Sequence, residues 1–329
     1  MKRSHFTSDL LHPRCWLTWF GFGLWWLVVQ VLPYRVQMLL GAGLGILAGK
    51  LNKRRRIIAS RNIEQCFPEL SAAEQQRILR KSLANVGCAL FESGIAWFWP
   101  RWRLRRLCVL EGIEHLDKAQ EQGKGVLLLC FHYTCLDLCA VFLSTCRSVD
   151  AFYRPHGNPV YEYLQRRGRE RFSAEGLTIP RDDMRTTIRH LKKGRAIIYL
   201  PDQDYGRKHS VFVPFFGTPA ASLTATSQLV RMTGAAAIPC ITCRRVYGRY
   251  HIKVHPPLVV SGESSEADAL LVNQFLEEQL RHHPEQYLWV HRRFKTRPEG
   301  EPDIYNIDDL LERSRKRRVR RAAKRSNKG

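Results

Sequence analysis

Acidic residues are scarce in this chain: 30 Asp and Glu stand against 53 Lys and Arg, a formal charge of +23 over 329 residues. That balance suits anionic partners, whether nucleic acid, acidic lipid head groups or a phosphorylated substrate. No RNA-binding or zinc-finger signature accompanies the charge, which argues against a nucleic-acid binder. A second CxxC pair is missing as well. Cys240-Ile-Thr-Cys243 stands alone, so a zinc ribbon is not expected, and no metal or cofactor site is read from the sequence. No glycine loop follows a strand. Gly41-Ala-Gly-Leu-Gly45 lies inside an apolar segment and cannot cradle phosphate in the usual way. The chain has no internal repeat, and the apolar run near its start ends in Leu32-Pro33 without the small-residue site of a cleaved signal.

Ten cysteines are present, several inside apolar runs such as the one ending in Cys146, where a thiol behaves as a small hydrophobe. So many unpaired thiols fit a reduced cytosolic setting. The run from Cys15 to Leu32 has 18 residues and no charge. As a helix it would be roughly 27 Å long, just enough to cross a bilayer core. Its tryptophans favour membrane interfaces, and a single spanning anchor is expected over 15–35. Val36 to Gly49 is too short to span and is expected to pack or lie in the interface. The basic cluster from Lys53 to Arg56 places everything after it on the cytoplasmic side. The expected divisions are an N-terminal segment 1–14, the anchor, a membrane-proximal helical region 36–105, an α/β domain 106–300 and a basic, disordered tail 301–329.

Within 106–300, short apolar runs alternate with helical patterns, which predicts an α/β fold. Val126 to Phe131 reads as a buried strand, followed at once by His132 and, five residues later, Asp137. The two can meet if His132 lies in a strand-to-helix turn and Asp137 in the first turn of the helix. The carboxylate would then accept from one ring nitrogen and leave the other as a base. A capping histidine beside an aspartate that favours the helix dipole is the plainer alternative. Val149 to Tyr153 predicts a second strand ending at Arg154, and a helix from Asn158-Pro159 carries Arg166, Arg167, Arg169 and Arg171. Ala196 to Leu200 predicts a third strand, ending in Pro201-Asp202-Gln203-Asp204-Tyr205-Gly206, where open α/β sheets place their sites. Val211 to Pro219 holds two prolines and is expected to be a loop. Ser71 and Glu74 form a candidate capping box for a long helix reaching Trp99.

His132-Tyr-Thr-Cys-Leu-Asp137 resembles the HX4D/E motif of glycerolipid-type acyltransferases. Seven ordered blocks, LLHPRCWLTW, RNIEQCFPEL, FESGIAWFWP, YRPHGNPVYEYLQ, LPDQDYG, SVFVPFFGTPA and PEQYLWVHRRFKTRPEG, resemble the late acyltransferases of lipid A biosynthesis, in particular the lauroyl branch. That branch more often has glutamate at the place of Asp137. The resemblance implies a mixed sheet flanked by helices. His132 would be the general base, with Asp137 holding its ring. Arg169 would assist catalysis or bind a substrate phosphate, and Arg154, Asp202, Asp204 and Tyr205 would bind substrate. It implies laurate on acyl carrier protein as donor and the anionic, Kdo-bearing tetra-acylated lipid A precursor as acceptor, at the cytoplasmic face of the inner membrane. The alternatives are a myristoyl or palmitoleoyl transferase of the same pathway, or a lysophospholipid or glycerol-phosphate acyltransferase. Against the last stands LPDQDYG, where those enzymes carry an FPEGT-type block.

Overall fold

The computed structural model describes residues 6–173, 175–245 and 248–307; the basic tail from Arg313 and Tyr247 of the turn before Gly248 lie outside them. Among the described residues, seven strands form one sheet in the order β1-β9-β8-β2-β5-β3-β4. They are β1 (Cys108–Glu111), β2 (Val126–Cys130), β3 (Val149–Tyr153), β4 (Thr178–Pro180), β5 (Ala196–Tyr199), β8 (Ala236–Arg244) and β9 (Tyr250–Val254). All neighbours run parallel except β8 and β9, so the sheet is mixed, as expected. β2 is buried along its whole length between β5 and β8, which is why it reads as an unbroken apolar run rather than an alternation.

Helices α4 (Ala72–Phe98), α7 (Leu136–Cys146), α8 (Pro159–Glu170) and α11 (Ser265–His282) flank the sheet. The capping box forms: the Glu74 amide donates to Ser71 Oγ, and Glu74 Oε2 accepts from the Ser71 amide. α8 starts with proline at its first turn, and Asn158 Oδ1 accepts from the Val160 and Tyr161 amides. Trp97 and Trp99, which end the α4 pattern, are buried.

Two expectations are corrected. Val211–Pro219 is not a loop: β6 (Ser210–Phe215) and β7 (Thr218–Leu223) pair as an antiparallel ribbon outside the main sheet. Pro214 and Pro219 sit opposite one another, and a two-stranded ribbon leaves edges where a missing N–H costs nothing. The spanning anchor is not supported either. The first long helix, α1 (Trp16–Val31), has 16 residues, roughly 24 Å against a hydrocarbon core of about 30 Å. No helix among the described residues is long and apolar enough to cross a membrane. Part of the apolar run is used inside the protein: Val29 is fully buried, and Phe22 and Trp25 pack on the core. The opposite face stays exposed at Leu17, Phe20, Leu24, Leu27 and Val31, spaced at helical intervals.

The next helix, α2 (Tyr34–Leu51), packs across α4 through glycine. Gly41, Gly45 and Gly49 are buried on one face. A Cβ at Gly45 would come within 2.1 Å of the Leu83 carbonyl, and one at Gly87 within 2.0 Å of the Gly41 carbonyl. Only bare backbones fit at that distance. Gly87→Ala should therefore force the helices apart and destabilise the protein by about 3 kcal/mol or more. Gly43→Ala, on the same helix but facing open space, should gain up to about 1 kcal/mol of helix propensity. Denaturant unfolding of the two variants beside the parent checks this; equal stability of all three would refute the close crossing.

Candidate active site

The site is built at the carboxyl ends of adjacent parallel strands. β2 delivers His132, β5 delivers Asp202 and Tyr205, and β3 delivers Arg154. His132 and Asp202 meet. The His132 amide donates to Asp202 Oδ2 at 2.8 Å, and Nδ1 lies 2.6 Å from Oδ1. Asp202 is also held by the Tyr287 hydroxyl, which donates to Oδ2 at 2.9 Å. Its side chain is 1% exposed, that of His132 20%. Burial opposes the charge on Asp202, but the His132 ring and amide and the Tyr287 hydroxyl outweigh it, so the carboxyl titrates below its ordinary range. The fold thus gains stability from the ionised carboxylate above the ordinary range and loses it as the pH falls through the lowered value. With a carboxylate on Nδ1, that nitrogen carries the proton, and Nε2 of the neutral ring is the basic one.

Asp137 lies in the first turn of α7, where expected, but it is not the partner of the ring. Arg169 of α8 reaches across with Nε and Nη2, both donating to Asp137 Oδ1 at 3.0 and 2.6 Å. Ser93 of α4 donates to Oδ2 at 3.0 Å. Arg169 is therefore in the site, but bound to the motif's own carboxylate. The pair borders a small cavity of about 60 Å3 toward Ala140, Ile198 and Leu200. On the other side, Ser93 lines a larger apolar groove of about 550 Å3 between α1, α4 and α8.

The remaining predicted residues divide. Tyr205 is half-exposed, with the Arg181 guanidinium 5.8 Å from its ring centre, and Arg154 is exposed at the end of β3. Asp204 is committed to structure: its oxygens accept from the amide and hydroxyl of Thr296 at 2.6 and 2.8 Å and from the Gly206 amide at 2.9 Å. It fastens the C-terminal segment.

That segment carries residues to which the sequence assigns no role. The Leu288 amide donates to the His132 carbonyl and the Thr134 amide to that of Gln286, so the stretch from Pro284 braces the turn that carries His132. His291 Nε2 accepts from the Asp204 amide at 3.3 Å. Burial and the nearby His132 push the His291 ring down to about 4, so it stays neutral at neutral pH. The only advance sign of this brace was the block PEQYLWVHRRFKTRPEG itself.

Cys240 does not join Cys243. It meets Cys130 and Cys139 behind β2, with all three sulfurs within 4.8 Å. Three sulfurs fall one short of a closed tetrahedral zinc site, and these thiols are wholly inside the apolar core.

The bacterial lipid A biosynthesis acyltransferase family matches residues 3–296. The chain is 44% identical over 303 residues to the lipid A biosynthesis lauroyltransferase of Escherichia coli (strain K12), covering 91% of this chain and 98% of that protein. It is 41% identical over 302 residues to the palmitoleoyltransferase of the same organism, with the same coverage. To that organism's myristoyltransferase it is 31% identical over 315 residues, 93% of this chain and 95% of the other. A mixed sheet with a buried-carboxylate histidine at its carboxyl edge, and a match of this extent, place the chain among the bacterial lipid A biosynthesis acyltransferases, and it is an acyltransferase.

Proposed function

We propose that this enzyme moves a fatty acyl chain from the thioester of acyl carrier protein to the hydroxyl of a 3-hydroxyacyl chain on the Kdo2-lipid A precursor. The observation that carries the mechanism is a partly exposed His132 ring whose Nδ1 is fixed by buried Asp202. Nε2 takes the proton of the acceptor hydroxyl as its oxygen attacks the thioester carbonyl. The C–S bond breaks, and the same proton passes to the leaving thiolate. Asp202 holds the ring in one tautomer and stabilises the imidazolium, as the aspartate does in a Ser-His-Asp triad. No serine stands beside His132, and direct transfer needs no acyl-enzyme. Laurate is the chain we assign, supported by the 44% identity to the lauroyltransferase. Myristate or palmitoleate as the main product of a mixed-donor assay would overturn that assignment without touching the reaction class.

The enzyme rests on the cytoplasmic face of the inner membrane rather than crossing it. Supporting this are the exposed stripe on α1 and a second on α2 at Leu40, Leu44, Leu47 and Leu51, with exposed Arg14, Arg35 and Lys50 near their ends. Apolar stripes with basic flanks on two successive helices suit helices lying in the interface of an anionic leaflet.

His132→Ala and Asp202→Asn should each lower turnover roughly 10²–10⁴-fold, the second because an amide cannot fix the productive tautomer. Asp137→Ala and Arg169→Ala should resemble each other, since each breaks the same ion pair, and the double variant should be little worse than either alone. Normal turnover by Asp202→Asn would refute its role as orienter. For the membrane, Leu24→Asp with Leu44→Asp should weaken co-sedimentation with vesicles containing anionic phospholipid by about 10-fold or more, as expected from losing two buried leucines. Unchanged binding would refute docking through these stripes.

A further inference from the structure

We infer that the apolar groove between α1, α4 and α8 holds the acyl chain being transferred, and that Gly21 sets where that chain must end. This rests on the acyl-transfer reading above. The groove has a volume of about 550 Å3 and is walled mainly by aromatic and aliphatic side chains, among them Phe22, Trp25, Leu90 and Tyr161. One wall reaches the HX4D motif. Ser93 lines the groove and donates its hydroxyl to Asp137, which Arg169 holds from the facing helix. A hydrocarbon lying there would therefore have one end beside the HX4D turn and the other along α1.

The choice of the transferred chain over one of the acceptor's own follows from what each needs. A chain of the acceptor already has a solvent in the bilayer. A chain delivered on a water-soluble carrier has none, and must exchange water for a protein surface of bounded size. An apolar pocket of fixed depth also discriminates between chains, because one methylene too many or too few changes the rate about 10-fold or more.

Gly21 is the position at which that depth can be changed without disturbing the fold. It lines the groove, and a Cβ there would meet no atom within 4 Å, so a larger side chain has room to project into the groove. Gly23 offers a matched control. It lies on the same helix with equally open surroundings but does not line the groove. Leu90 lines it from α4 and is half-exposed, so shortening it should lengthen the groove.

The test uses the full-length enzyme in detergent with Kdo2-lipid IVA and an equimolar mixture of decanoyl, lauroyl, myristoyl and palmitoleoyl carrier-protein thioesters, products being read by mass spectrometry. Gly21→Leu is expected to shift the ratio of kcat/KM between the preferred donor and the next shorter one by at least about 10-fold toward the shorter. Leu90→Ala is expected to shift it toward longer chains, and Gly23→Leu to leave it as in the parent. Retained turnover on the decanoyl donor shows that Gly21→Leu is folded. Unchanged chain preference in both groove variants overturns the proposal, as does an equal shift in Gly23→Leu. Unchanged preference with a raised KM for the acceptor also overturns it, and gives the groove to an acceptor chain instead. If the parent enzyme transfers none of the four chains, the acyl-transfer reading fails and the groove assignment falls with it. A parent that transfers while the variants keep its profile leaves that reading standing and removes the groove assignment alone.

Discussion

Everything at this site depends on the register between β2 and β5. The strands pair in parallel as Val126 with Ala196 through Leu129 with Tyr199, and His132 and Asp202 each lie three residues beyond the last of these pairs. Equal offsets from a parallel ladder bring the two to the same edge of the sheet. There one carboxylate can hold both the amide and the ring of the histidine. Slippage by a single residue would turn every side chain of a strand to the opposite face. The complete burial of β2, with β8 on its other side, makes that costly. The His132–Asp202 geometry is thus fixed by core packing, not by the loop that carries the histidine.

This explains what could and could not be read from the chain. β2 and β5 were legible because buried strands in a parallel sheet are short, uniform apolar runs. The α8 start and the Ser71–Glu74 box were legible because capping acts over three residues. The partner of His132 was not. Asp137 is five residues away in sequence and Asp202 seventy, and spacing arguments see only the first. Asp202 was singled out as a polar group at a strand end, which located it in the site; its particular contact depends on strand order, which no local pattern records. The ribbon of β6 and β7 was hidden by prolines that a two-stranded edge tolerates. The spanning helix was over-read, because an uncharged run looks the same whether its faces meet lipid or, as Phe22, Trp25 and Val29 do, the protein core.

The ion pair of Asp137 and Arg169 gives the motif's acid a different task from orienting the ring. It ties α7 to α8 beside the sheet edge, while Ser93 ties α7 to α4. Arginine suits this position because its planar fork places two donors on one oxygen. Both side chains are one-fifth exposed, so the pair is neither deeply buried, where desolvation would weigh against it, nor fully solvated, where it would be worth little. An anion arriving there would compete with Asp137 for the guanidinium, and a ligand that drew Arg169 away would free the HX4D turn from α8.

The element that makes such coupling possible is α4. Along little more than four turns it presents Ser82 and Asn85 to the C-terminal brace at Tyr287 and Glu285, and Gly87 to α2. Glu92 meets Arg244 and Tyr250 on β8 and β9, Oε1 lying 2.7 Å from each. Ser93 reaches Asp137, Gly94 admits Trp25 and Val29 of α1, and Trp97 packs on Gly168 of α8. Glu92 is fully buried, and burial raises its carboxyl above the ordinary range even against the pull of Arg244, so that contact is costly to break once one partner is lost. A helix so fixed on every side transmits displacement rather than absorbing it, because packed interiors do not deform continuously. A displacement of α1 or α2 against α4 would therefore reach Ser93, and through it the carboxylate that holds Arg169.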